Sequence, residues 1–216
     1  MEFVRLTVGP VETNGFIVRE GDDAVIIDPG AEPELFEHQF SEWGIEPAAI
    51  LITHGHYDHI GAVGDLRERY PNAEVLCHPL DAPMLTDPKL SHAISFNSQL
   101  NVGEADRSIA DGEMLEFGQL TLKTIHIPGH TVGHVVFYHE SGHVFAGDTL
   151  FAGGIGRFDF PGSDGRVLIQ GMREKLLTLP GETKVHPGHG PSTTLHVEAR
   201  TNPYLDMGFL RSMGLI

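Results

Sequence analysis

The stretch that most constrains the fold is "AAILITHGHYDHIGA", Ala48 to Ala62. It opens as a fully apolar strand and passes at once into His54, His56, Asp58 and His59. A helical metal motif spaces its histidines by four, on one face of a helix. The spacing of two in His54 and His56 suits extended or turn backbone at a strand's end. Asp58 and His59 then fall near the start of the next helix, whose dipole favours anions there. Such a grouping can serve two metal ions, one pair of side chains for each.

Two ions need more ligands than this cluster holds, and the chain carries three further glycine-rich strand ends with ligand types on them. "IPGHTVGH" offers His130 on a Pro-Gly turn, "HVFAGDTL" ends a buried strand at Asp148, and "VHPGHGP" offers His189. The expected centre is therefore His54, His56, Asp58, His59, His130, Asp148 and His189, with Asp148 able to bridge two cations. Nitrogen and carboxylate donors without thiolate suit zinc, iron or manganese. Cys77 is the one cysteine; it lies inside a predicted strand and reads as packed core.

Between these segments the pattern alternates. "FVRLTVG" and "GFIVRE" have the period of half-buried antiparallel strands, and "DAVIIDPG" and "AEVLCH" read as buried strands. "EPELFEHQFSEWG" places Leu35, Phe36, Phe40 and Trp43 at helical spacing, with Gly44 as its stop. "AVGDLRERYP" is a short helix stopped by Pro71. In the second half "LTLKTIHI", "HVVFYH" and "HVFAGD" are strands. "GRVLIQGMREKLLTLP" puts Leu168, Ile169, Met172, Leu176 and Leu179 on one helical face, and "TLHVEARTNPYL" is a last helix broken at Pro203. Residues 79 to 111 are irregular and read as a structured insertion beside a site. Two runs of strands, each with helices, predict an α/β sandwich of two mixed sheets flanked by helices.

The chain has 216 residues, enough for one full core, and 14 Lys and Arg against 30 Asp and Glu give a net charge of -16. That field repels phosphate backbones, so nucleic acid is not an expected partner. The N-terminus lacks a signal-peptide pattern and no window is apolar enough to span a bilayer, so no membrane partner and a cytoplasmic location are expected. The sequence leaves the oligomeric state open.

In order along the chain, "THGHYDH", "PGHTVGH", "GDTLFAGGIGRFDF" and "PGHG" resemble the motifs of the metallo-β-lactamase-fold hydrolases, and among these the short glyoxalase II (hydroxyacylglutathione hydrolase) type. The likeness extends over nearly the whole chain and implies the αββα fold as a single domain, residues 1–216. By this resemblance His54, His56 and His130 hold a first metal, Asp58, His59 and His189 a second, and Asp148 is shared. It implies a bridging water acidified by two divalent ions, zinc first among them, attacking a small thioester or ester, with Asp58 as ligand and orienter of the nucleophile. Thioester hydrolysis of the S-lactoylglutathione type is the leading expectation. Hydrolysis of another ester, lactone or amide, a mononuclear iron persulfide dioxygenase, and a histidine-rich metal-storage or interaction protein without catalysis are the alternatives. By the same resemblance the chain is expected to be without the longer enzymes' C-terminal helical region and its glutathione-gripping cations, and it carries Arg157 where they have Lys.

Single residues complete the picture. Asp28 in "IIDPG" is expected to support the ligand loop, and His134 to be structural. Arg157 in "GRFDF" is expected either to position substrate or to pair with Asp159. His78, His126, His139, His143 and His186 read as buried or edge histidines, and His38, His92 and His196 as surface or loop residues.

Overall fold

The computed structural model describes residues 1–100 and 102–215. Its first sheet runs β1 (Glu2–Val8), β2 (Thr13–Glu20), β3 (Asp23–Ile27), β4 (Ala49–Leu51), β5 (Glu74–Cys77) and β6 (Arg107–Ser108), in that spatial order. The first three strands pair antiparallel and the last four parallel. Its second sheet is built from β7 (Met114–Phe117), β8 (Leu120–His126), β9 (Val135–His139) and β10 (His143–Gly147). After the small hairpin of β11 (Leu150–Phe151) and β12 (Gly154–Ile155), β13 (Lys184–Pro187) and β14 (Thr193–Thr194) complete the order β14-β13-β10-β9-β8-β7. Only β10 and β13 run parallel in that sheet, so their C-terminal ends lie at the same edge.

The period of two along each strand divides the apolar residues between faces. Phe16, Val18, Val25, Ile27 and Leu51 meet Leu122, Val135, Phe137 and Phe145 between the two sheets. The alternate residues Ile17, Ile26, Ile50 and Val75 turn outward beneath Phe36 and Phe40 of α1 (Pro33–Trp43) and Leu66 of α3 (Val63–Arg69). On the far side Val136, Val144 and Val185 lie under Leu168, Ile169 and Met172 of α4 (Gly165–Glu174). Burying each such side chain stabilises the fold by about 1.5–3 kcal/mol. Three apolar layers inside four structural layers are the expected sandwich of two mixed sheets flanked by helices.

Gly44 ends α1 with φ 67 and donates to the Phe40 carbonyl at 2.9 Å, a left-handed cap that a side chain would strain. Leu35 departs from expectation: it lies on the outer face of α1, 40% exposed, and only Phe36 and Phe40 of that helix are buried. Among the strands and α-helices that were not expected, the two-residue strands β6, β11, β12 and β14 are the shortest, and β7 and α6 (Met207–Ser212) are the most substantial. Strand β7 is four residues long, and α6 follows α5 (Leu195–Thr201) after a turn at Pro203. Asp206 caps α6 by accepting from the Phe209 N–H at 2.8 Å, and Leu210 seals the outer core. Among the described residues no helix is long and apolar enough to cross a membrane.

Candidate metal centre

Every expected ligand sits just beyond the C-terminal end of a strand. His54 and His56 leave β4, and Asp58 and His59 occupy the one-turn helix α2 (Tyr57–Ile60) that follows. His130 lies in the turn between β8 and β9, Asp148 directly follows β10, and His189 follows β13. The two sheets thus face each other across one edge, each contributing ligands.

Among the described residues three groups of convergent donor atoms result. The two that were expected are a first group of His54, His56 and His130, and a second of Asp58, His59 and His189. In the third, of Asp28, His54 and His59, Asp28 meets His59 Nδ1. Asp148 lies between the first two. Its Oδ1 is 3.4 Å from His59 Nε2, and its Oδ2 is 3.6 Å from both His130 Nε2 and His189 Nε2. His189 Nε2 is also 3.2 Å from Asp58 Oδ2. The outward nitrogens of four histidines are held. Thr53 Oγ1 lies 3.0 Å from His54 Nδ1, Asp28 Oδ2 2.9 Å from His59 Nδ1, the Arg157 carbonyl 2.7 Å from His130 Nδ1, and the Val11 carbonyl 3.1 Å from His189 Nδ1. Fixing one ring nitrogen aims the other, the arrangement found around metal-binding imidazoles.

The electrostatics divide the cluster. Burial, reinforced by neighbouring His59 and His130, pulls the His54 pKa well below its usual value, and burial with His130 takes His56 to about 3. Burial likewise lowers His130, so the first group is neutral imidazole at neutral pH. In the second group burial opposes charge on His59, but Asp58 and Asp148 overcome it and raise its pKa; on His189 the bond to Asp58 does the same. Burial would push the carboxyls up, yet the adjacent His59 holds Asp58 near 2 and Asp148 lower still.

Buried polar atoms without partners test whether cations fit. Of five buried side-chain polar atoms without a hydrogen-bond partner among the described residues, three belong to this cluster: His54 Nε2, and His59 Nε2 and Asp148 Oδ1, which face each other at 3.4 Å without bonding. Leaving each so costs about 1–3 kcal/mol unless a ligand completes it. Three imidazoles held neutral and two carboxylates held ionised around such orphans suit a pair of divalent ions, whose binding would displace the protons that the carboxylates favour on His59 and His189.

Residues 8–192 match the model of the Metallo-beta-lactamase superfamily. The chain belongs to this superfamily. Among similar proteins, the "Probable metallo-hydrolase YqgX" of Bacillus subtilis is 38% identical over 95% of this chain and 98% of its own. The "Hydroxyacylglutathione hydrolase GloC" of Haemophilus influenzae is 37% identical over 85% of this chain and 88% of its own. The solved structure of TTHA1623 in a di-iron-bound form is 44% identical, covers 94% of this chain and 100% of that one, and superposes with a TM-score of 0.85. The protein is thus a metallo-hydrolase of the metallo-β-lactamase superfamily.

Several supports of this superfamily site are polar residues that the sequence alone did not mark. Asp81 is fully buried and accepts from the Gly55 N–H (3.2 Å), the Thr131 hydroxyl (2.6 Å) and the Gly133 N–H (2.7 Å). Gly55 lies between His54 and His56, and Thr131 follows His130, so one carboxylate ties the two turns that form the first group. Asn14, from the other sheet, donates its Nδ2 to the carbonyls of Pro187 (3.0 Å) and Gly190 (2.9 Å), bracketing His189. Asp28 supports the ligand loop as expected, accepting from the Thr53 N–H at 2.8 Å and the Thr53 hydroxyl at 2.6 Å. His134 is structural, as expected: its Nε2 accepts from the Asp148 N–H at 3.0 Å and its ring stacks on His54.

A cavity of about 430 Å³ opens onto the metal-facing side chains. Arg157 lines it, and its side chain pairs with Asp159; Asp28, Arg157 and His134 therefore all act on the site's surroundings. His92, expected as a surface or loop residue, lies in the loop as read and also lines this cavity, its ring centre 5.2 Å from that of His56 and 4.8 Å from that of Phe160. Its left-handed backbone, φ 62, turns the ring inward, and no periodic pattern in the irregular segment announces that. Cys77 is buried core, and burial pushes its thiol pKa up, which removes it as a nucleophile.

Proposed function

We propose that the protein hydrolyses thioesters of the hydroxyacyl-thiol kind, the glyoxalase II reaction, with two divalent ions held by the seven ligands. The carrying observation is the complete second group, Asp58, His59 and His189, with Asp148 poised between both groups. A mononuclear oxygenase needs one set of facial ligands and has no use for the second. The similarity to a hydroxyacylglutathione hydrolase supports the thioester reading, and the di-iron form of TTHA1623 supports iron beside zinc as the resident ion.

When bound, the ion pair supplies an acidified water at neutral pH and positive charge for a developing oxyanion. The chain's own residues do the rest. Asp58, ionised at neutral pH and held by the Thr13 hydroxyl at 3.1 Å, would orient the attacking water by accepting a hydrogen bond from it. His130 and His189, fixed through their Nδ1 atoms by backbone carbonyls, keep the second sheet's ligands in register with it. The cavity walls Phe96, Phe151 and Phe160 exclude bulk water around the acyl carbon. A thiolate with a parent pKa of about 8.5 leaves without a general acid, so no further proton donor is required.

Ion content measured together with turnover of S-lactoylglutathione tests this reading. Two ions per chain and detectable hydrolysis are expected, with His189→Ala losing the second ion and most activity while keeping the fold. One iron per chain with oxygen consumption on a persulfide would overturn it.

A further inference from the structure

The cavity in front of the site is walled by Val11, Phe96, Phe151 and Phe160. Among the described residues lining it, Arg157 carries the one permanent positive charge. That charge is already engaged. Its Nε and Nη2 donate to Asp159 Oδ1 and Oδ2, both at 2.9 Å, and its guanidinium lies 4.2 Å above the centre of the Phe160 ring. The planar fork that would grip a substrate carboxylate is filled by the protein's own. Both partners are about two-thirds exposed, at 66% and 65%, so the pair is a competitor to be displaced rather than a permanent block.

An adjoining cavity of about 300 Å³ shares Val11, Asp58 and Phe96 with the first and adds the carboxylates of Glu32 and Asp65 without a Lys or Arg. The whole chain carries a charge of -16. Resting on the thioester reading, we propose that the preferred substrate has an uncharged, apolar thiol half, and that Asp159 is a specificity residue that holds Arg157 away from substrate carboxylates. A glutathionyl group brings two carboxylates and one ammonium, a net charge of about -1, into this setting. Away from the metal centre it meets one cation, Arg157, which must first be freed from Asp159, on a chain of net negative charge. An apolar thiol meets the aromatic wall and loses nothing.

The test compares S-D-lactoyl-N-acetylcysteamine with S-D-lactoylglutathione on the metal-loaded protein, at about 20 and 200 mM salt to vary screening. The neutral thioester should have a kcat/KM at least about tenfold higher and insensitive to salt, whereas the rate on the glutathione thioester should rise with salt as repulsion is screened. Asp159→Asn frees Arg157 and should lower KM for the glutathione thioester about fivefold, leaving kcat and the neutral substrate unchanged. A glutathione thioester that is preferred, and whose rate falls as salt rises, would overturn the proposal.

Binding of S-methylglutathione and S-methyl-N-acetylcysteamine by calorimetry makes the same comparison without turnover. Tighter binding of the neutral probe supports the proposal and tighter binding of the charged one overturns it. Absence of hydrolysis of both thioesters would remove the thioester reading alone, and the calorimetric result would still decide the charge preference.

Discussion

Asp81 touches no ligand side chain, yet it fixes where two ligand turns stand. A buried carboxylate accepting three hydrogen bonds leaves those turns little freedom, and each bond lost costs about 1–3 kcal/mol when its donor stays buried. In Asp81→Asn one accepting oxygen becomes an amide donor facing an N–H or a hydroxyl. Affinity at the first group should fall about 10–100-fold while the second ion is retained. Ion content after dialysis against graded chelator checks this; equal loss of both ions would show that Asp81 only stabilises the fold. Gly188 makes the converse prediction for the second group. A Cβ there would stand 2.4 Å from Asp148 Oδ1 and 2.6 Å from His59 Cε1. Gly188→Ala should therefore lose the second ion with an unchanged circular-dichroism spectrum, and a variant that keeps both ions would refute the packing argument. The clustering of the candidate ligands was legible because His54, His56, Asp58 and His59 crowd one turn and the others follow Pro-Gly or buried-strand signals. Asp81 and Asn14 were not, because their partners lie 50 and 176 residues away and a lone polar residue carries no period.

At the scale of elements, the strands of the central core were readable because they are apolar on both faces, as in β3 and β4, or alternate cleanly, as in β1. Strand β7 and helix α6 were missed for a physical reason: four and six residues are too few to display a period, and tertiary contacts decide their state. The helix most consequential for the site is α4. Its N-cap, Asp164, accepts from the Arg166 N–H at 2.8 Å and the Val167 N–H at 3.2 Å, and donates its own N–H to the Gly129 carbonyl at 2.7 Å. The cap thus joins α4 to the turn that carries His130. Asp164→Ala removes the side-chain acceptor but not the backbone bond, so urea denaturation should show about 1 kcal/mol lost with the slope unchanged. First-group metal affinity should stay within about twofold, since the backbone link survives; a larger drop would mean that the side chain itself positions the turn.

On the scale of the whole molecule, each ligand group draws from both sheets. His54 and His56 come from the first sheet and His130 from the second; Asp58 and His59 come from the first and His189 from the second, with Asp148 added from the second. Each ion would therefore close the edge of the sandwich that the shared apolar layer closes from within. The layer itself is complete without ions, since Phe16, Ile27, Leu51, Phe137 and Phe145 are buried against one another, so the metal-free chain should remain folded. Its stability should nonetheless track free metal, because an ion that binds only the folded state adds RT ln(1 + [L]/Kd). Above saturation each site contributes about 1.4 kcal/mol per decade of free ion, and two sites about 2.8. Urea unfolding in zinc buffers spanning several decades measures that slope directly. The wild type should approach the two-ion value and His189→Ala the one-ion value, with the denaturant slope constant across the series because the same surface is exposed. A stability indifferent to free zinc would show that the folded chain binds neither ion in preference to the unfolded one, and would sink the two-ion centre.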